Sequence, residues 1–436
     1  MLLSPYRVLD LTGPLGFLAG RILADLGADV IKVEPPGGDS SRAWAPFLER
    51  DGIRRSLYWL ASNANKRGIT LDIEAPSGRF VLRELARSCD FLIESFAPGH
   101  LARHGLGYED LRGVNSSLIV VSITPYGQDA PGRDLPASDI EIIAASGAMS
   151  LAGEPGDEPM RVTEPQAAMW AGVEAAMGAL TALVYRTTTG VGQWVDVSAQ
   201  SAVVAALAHA PVFWDLTGVN PERAGIYITG RSVSGARMRA FWPCRDGWIN
   251  FIIYGGVAGR HTNLQLVAWM HERGMAPDVL KQIDWSTFSV PTLTQPEVDV
   301  LEEPIGRFLA TLTKREFLEG AAARQMLGYP VSTAEDIHQD PQLEARNFWQ
   351  DVGDERSGGT IRFPGGFAIV DGERLPIRRP APDIGEHNEE ICGHLLCHPG
   401  TGAASGAPAG HPSAGAALGV PAAAARADGR SSGGTP

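Results

Sequence analysis

Cysteine is scarce. Only Cys89, Cys244, Cys392 and Cys397 occur in 436 residues, too scattered for a disulfide framework, and a reducing, cytoplasmic setting is expected. The closest pair lies in "CGHLLCH", with His394 and His398. No second ligand pair stands at metal spacing, and positions five apart on a helix do not share a face, so the stretch reads as a helix end and no metal site is expected. Unbroken apolar runs of about 18 residues are missing, so no membrane span is expected. The first residues lack the basic, apolar, small-residue order of a signal peptide. Lysine and arginine are outnumbered by acids, 37 to 50, for a net charge of −13. Without a basic cluster to neutralise phosphates, a nucleic-acid partner is excluded.

What the chain does contain is alternation. Residues 6–34, "YRVLDLTGPLGFLAGRILADLGADVIKVE", read as strand, helix and strand, with the apolar-periodic segment from Gly16 to Leu26 between two β-branched runs. "GITLDI", "SGRFVLRELARSC", "DFLIES" and "SLIVVSI" continue the pattern, giving the α/β class with a largely parallel sheet. A long helix is expected from Pro165 to about Tyr185, with proline in its first turn and Met169, Val173, Met177, Leu180 and Val184 as its apolar periodicity. "AQSAVVAALAHAPVFWDL" reads as a further helix, and "MRAFWPCRDGWINFIIYG" as a hairpin turning at Asp246-Gly247. Composition shifts divide the chain into a large α/β domain over 1–224, a smaller α+β domain over 225–330, and a return to the large domain over 331–398. Residues 399–436, almost all Ala, Gly, Pro and Ser, have no apolar face to bury and are expected to be disordered.

Several blocks in one order, "VLDLT", "LADLGADVIKVEPPGGDSSR", "NANKRGITLDI", "DFLIESFAPGHLARHGLGYEDLR", "SITPYGQDAPG", "ALVYRTTTGVGQWVDVS" and "DPQLEARNFW", resemble the class III CoA-transferases, the CaiB/BaiF family. The resemblance covers roughly residues 5–395. It implies a Rossmann-like large domain built from both ends of the chain, a smaller domain inserted between them, and two subunits interlocked as a ring. It also implies a reaction in which an aspartate attacks an acyl-CoA thioester and carries the acyl group as an anhydride before the CoA is passed to an acceptor acid. No prosthetic group is implied, coenzyme A or acyl-CoA being substrate.

The family's aspartate follows a proline in a pattern like P-x-x-D-x-x-x-G at the start of the long helix, where the positive helix end stabilises an anion. Here Pro165, Gln166, Ala167, Ala168 and Gly172 fill that pattern, so Ala168 stands at the nucleophile position. Glu164 is the substitute carboxylate in reach of that region. The first loop, "TGPLGFLAG", carries Pro14 and Leu15 where polar groups are expected, and Glu94-Ser95-Phe96-Ala97-Pro98-Gly99 lacks the amide and arginine of E-N-F-R-P-G. At the nucleotide end, Gly38, Asp39 and Arg42, Lys66 and Arg67, and Arg103 persist, and the four cations are the expected contacts of the CoA phosphates. Gly190 and Gly192 read as a helix stop.

These departures imply a non-catalytic type of subunit that completes a heteromer with a homologous, aspartate-bearing chain. It resembles that of the succinyl-CoA:benzylsuccinate CoA-transferases of anaerobic toluene degradation. Two other readings stay open: an active transferase or isomerase using Glu164, and a CoA-thioester-binding protein without catalysis.

Overall fold

The computed structural model describes residues 1–396 apart from 51, 130, 231, 355, 357 and 358. The expected disordered tail, Cys397 and His398 lie outside the described residues. Six parallel strands form the main sheet: β1 (Arg7–Leu11), β2 (Asp29–Glu34), β3 (Arg67–Thr70), β4 (Phe91–Glu94), β5 (Ile119–Thr124) and β6 (Trp194–Ser198), in the order β3-β2-β1-β4-β5-β6. Because side chains alternate along a strand, β1 sends Val8 into one apolar core with Leu23, Phe91, Val121 and the alanines of the long helix. Leu9 goes to the opposite core, with Ile31, Ile69, Leu82 and Ile391. Helix α1 (Phe17–Asp25) lies against the first face, as α3 (Pro76–Ala86) does against the second; α2 (Leu57–Asn63) sits beside α1 and adds Trp59 and Leu60 to a small satellite core with Phe17.

After α4 (Asp139–Ala145), the long helix α5 runs from Ala167 to Thr189. It starts two residues later than expected. Pro165 therefore precedes the cap at Gln166 rather than sitting in the first turn, and the helix ends at Gly190, whose φ of 72° suits a glycine stop. The face it buries is also not the one its large residues suggest. Ala167, Ala168, Ala171, Gly172, Ala175, Ala176, Ala179 and Ala182 are buried, while Met169, Trp170, Val173, Met177 and Val184 are exposed. Small residues let α5 approach α1 closely: a methyl on Gly172 would lie 2.7 Å from Leu18 Cβ. By length and composition α5 could cross a bilayer, with half of its apolar window buried in the fold; Glu174 and Arg186 break the run, which hides it in the sequence.

The segment expected as one helix after β6 breaks at Leu207–Ala208 into α6 (Ala199–Ala206) and α7 (His209–Thr217). The expected hairpin is present, Phe241–Cys244 pairing with Gly247–Asn250, but it turns one residue earlier than expected, at Arg245-Asp246, because Gly247 already pairs with Cys244. A separate core drawn from residues 236–326 packs Trp242, Phe251, Trp269, Phe308 and Phe317 together. The chain then returns. Trp59 Nε1 and an Arg42 nitrogen both donate to the Pro382 carbonyl. Asn388, opening the last described helix α8 (Asn388–Leu396), accepts the β3 amide of Thr70 at 2.8 Å.

Candidate functional site

A cleft of about 510 Å³ opens at the carboxyl ends of β1, β2, β3 and β4, lined by Gly13, Gly38, Asp39, Ser95, Phe96 and His100 among others. In an open parallel sheet this is where ligand crevices form, beside the point at which the strand order changes direction. The β1 and β4 loops are tied across it, the Gly13 amide donating to Ser95 Oγ at 2.7 Å. Glu34 Oε2 accepts the Asp39 amide, and Asp39 caps the short 3-10 turn Ser40–Ala43.

Beneath the cleft, Asp10 is fully enclosed. Its carboxylate takes bonds from the Thr12 amide and hydroxyl and from Lys66 Nζ at 2.7 Å, with Lys32 Nζ 3.7 Å away. Burial pushes the Asp10 carboxyl up, but Lys66 and Lys32 outweigh it and hold the group below its usual range. Lys66 also donates to Phe17 O and Asn63 Oδ1, both at 2.9 Å, which accounts for its three ammonium donors. α1 packs so closely here that a Cβ on Gly20 would stand 2.2 Å from Asp10 Oδ2.

The four cations expected on CoA phosphates are therefore not gathered into one site. Lys66 is enclosed in the core. Arg42 grips the buried Glu34 with two 2.7 Å bonds and lies 3.8 Å over the Trp59 ring. Arg67 bonds both oxygens of Asp29, the first residue of β2, and reaches Glu390 at 2.5 Å; it belongs to the amino ends of the strands, away from the cleft. Arg103 is exposed, its guanidinium making a 3.4 Å contact to Pro98 O, and it has no carboxylate partner among the described residues.

Ala168 is buried in the first turn of α5. The helix end there is not bare: Asp139 Oδ1 accepts the amides of Ala167 at 2.8 Å and Ala168 at 3.4 Å. This carboxylate was missed from the sequence. Its local signal, the capping box Ser138–Glu141 that opens α4, gives no hint of a second helix 28 residues on. Glu164 is exposed, outside the helix. Tyr58, also missed, ties these pieces together. Burial first, then the charges of Asp139, Asp39 and Glu164, push its phenol up to about 12, so the helix start and the cleft wall both act on one ring. At the end of β4, burial raises the Glu94 carboxyl to about 7 although Ser122 and the Phe96 amide bond it.

The parallel sheet, with helices on both faces and a cleft at its switch point, defines an open α/β protein. The profile of CoA-transferase family III matches residues 3–388, and the chain belongs to that family. It is 36% identical over 398 residues to the succinyl-CoA:(R)-benzylsuccinate CoA-transferase subunit BbsE of Thauera aromatica, covering 90% of this chain and 94% of that one. It is 32% identical to the succinate–glutarate CoA-transferase of Agrobacterium fabrum, covering 90% and 95%. The solved structure of a CaiB/BaiF family protein from Brucella suis superposes with a TM-score of 0.77 at 28% identity, over 90% of this chain and 98% of that one.

Proposed function

We propose that this chain is the supporting subunit of a heteromeric class III CoA-transferase, paired with a homologous chain that carries the aspartate. The donor is succinyl-CoA and the acceptor an organic acid such as benzylsuccinate. The observation that carries this reading is Ala168 in the first turn of α5, with the helix amides at that spot already engaged by Asp139. A methyl group cannot attack a thioester, and a helix end capped from within offers less to an anion formed beside it. The apolar residues that α5 leaves uncovered, together with Val212, Phe213, Trp214 and Leu216 of α7, support a partner subunit packed on this side. In this reading residues 1–224 and 331–398 form the large domain, 225–330 the small one, and the two subunits interlock in the cytoplasm. Arg103 is the phosphate contact, Arg42 and Lys66 hold the scaffold beneath the cleft, and Arg67 ties the amino ends of the strands.

A second reading rests on the same capping bond: Asp139 places a carboxylate at the helix start and could serve, as could Glu164, as a replacement nucleophile. Incubation with succinyl-CoA and hydroxylamine, followed by intact mass, separates the two. A hydroxamate on this chain, mapped to Asp139 or Glu164, makes it catalytic. No adduct here, with an aspartate-bearing homologue reacting as control, supports the supporting subunit. Binding of CoA by the isolated chain with no such partner in its complex would favour a third reading, a thioester-binding protein.

A further inference from the structure

The α/β topology brings a residue that follows β3 against a turn that follows β4. Glu74 lies just beyond β3 in the loop before α3, and His100 and His104 stand four apart on and just after the short helix His100–Arg103, so both rings share one side. His100 Nε2 is 3.5 Å from one Glu74 oxygen and His104 Nε2 is 3.1 Å from the other. The three ligand atoms lie within 4.8 Å of one another.

We infer that Glu74, His100 and His104 form a divalent transition-metal site, of the two-histidine, one-carboxylate kind suited to zinc or cobalt, at the rim of the cleft. Bonds of about 2.0–2.1 Å in tetrahedral array put neighbouring ligand atoms about 3.3 Å apart; each ring nitrogen lies near that distance from one oxygen of the exposed Glu74 carboxylate, which must turn to offer a single oxygen to both. Each histidine offers Nε2. The donor set is mixed nitrogen and oxygen, which favours this class over calcium or magnesium. Glu74 and His100 also line the cleft, so the ion sits where a ligand enters, with a fourth position left to water or that ligand.

One neighbour works against the ion, and it makes the inference sharper. Arg79 Nη1 lies 3.4 Å from His104 Nδ1 while donating to the Glu74 carbonyl at 2.7 Å. A guanidinium only donates, so this contact needs a bare Nδ1, whereas a metal on Nε2 puts the proton on Nδ1. The arginine and the metal compete for the tautomer of one ring. No local pattern marks the site, because its ligands come from two loops 26 residues apart that only the folded sheet brings together.

The test is titration of the full chain with Co²⁺, read by visible d–d absorption. One equivalent is expected to give the spectrum of a nitrogen- and oxygen-ligated ion. His100→Ala, His104→Ala and Glu74→Gln should each weaken binding at least about tenfold, and Arg79→Gln should tighten it. Glu74 is a surface residue, so its variant keeps the test valid if a histidine variant fails to fold. Absorption that survives all three ligand variants, a thiolate-to-cobalt band lost on Cys392→Ser, or no absorption at millimolar Co²⁺ would each overturn the assignment.

Discussion

Around the carboxyl ends of β1 and β2, buried charge is matched with counter-charge: Asp10 with Lys66 and Lys32, Glu34 with Arg42. At the amino end of α5 stands Ala168, and the carboxylate of Asp139 is bonded into the helix cap. The first region is costly to disturb because each removal strands a partner in a dry interior. In the second, losing Asp139 would free two helix amides rather than strand a buried counter-charge. The contrast teaches that the scaffold of this fold and its chemistry are separable. The paired charges fix the loops whatever residue stands at 168.

Breaking the first region should therefore have the largest effect. Lys66→Met leaves Asp10 enclosed without its nearest cation and is expected to cost about 3–5 kcal/mol in urea unfolding, while adding Asp10→Leu should recover much of the loss. Because the folded Asp10 pKa is depressed, its contribution is fully present above the unfolded carboxylate value and is lost as pH falls through the folded one. A wild-type acid limb matched by the double variant would contradict this. Glu94 has the opposite sign. Its folded pKa of about 7 exceeds the ordinary 4.5, so the folded state holds the proton longer and stability should fall as pH rises from about 4.5 to 7, by at most about 3 kcal/mol. Glu94→Gln should flatten that slope in melts recorded across the range.

Arg103→Ala sharpens the comparison from the cleft side. Loss of one exposed, carboxylate-free guanidinium should change stability by less than about 0.5 kcal/mol, yet weaken calorimetric CoA binding by about 1.5 kcal/mol. Unchanged affinity would remove Arg103 from the nucleotide site. The smallest effect is expected of Ala168→Asp: assayed with succinyl-CoA and an acceptor acid, the isolated chain should stay inactive, because the helix amides that would support the new carboxylate are already bonded to Asp139. Near-normal transfer would show that one methyl group was the only defect.

The alternation of β-branched runs and amphipathic segments made the parallel sheet legible, because a strand's period of two and a helix's of 3.6 are local properties. The long helix was legible from Pro165 and its apolar periodicity, with its start placed two residues early. The face α5 buries was not, since Met169, Val173 and Met177 carry a stronger apolar signal than the alanines that meet α1. Lys66 could not be assigned either: in sequence it stands beside Arg67 in a polar loop, and only the fold shows one turned into the core on Asp10 and the other out on Asp29. Asp139 and the Glu74 cluster depend on contacts between separate elements, which no local pattern encodes.

The edge strand β3 is finished by residues made more than 300 positions later. The Gly68 amide donates to His387 Nδ1, the Gly68 carbonyl accepts the His387 amide, and Thr70 is held by Asn388. During synthesis, then, all six strands of the sheet leave the ribosome long before the segment that closes this open edge. An unsealed strand edge is a template for pairing with other chains. The nascent protein must keep that edge solvated or guarded until its last helix arrives, and a message cut short of codon 387 would yield a sheet permanently open on one side.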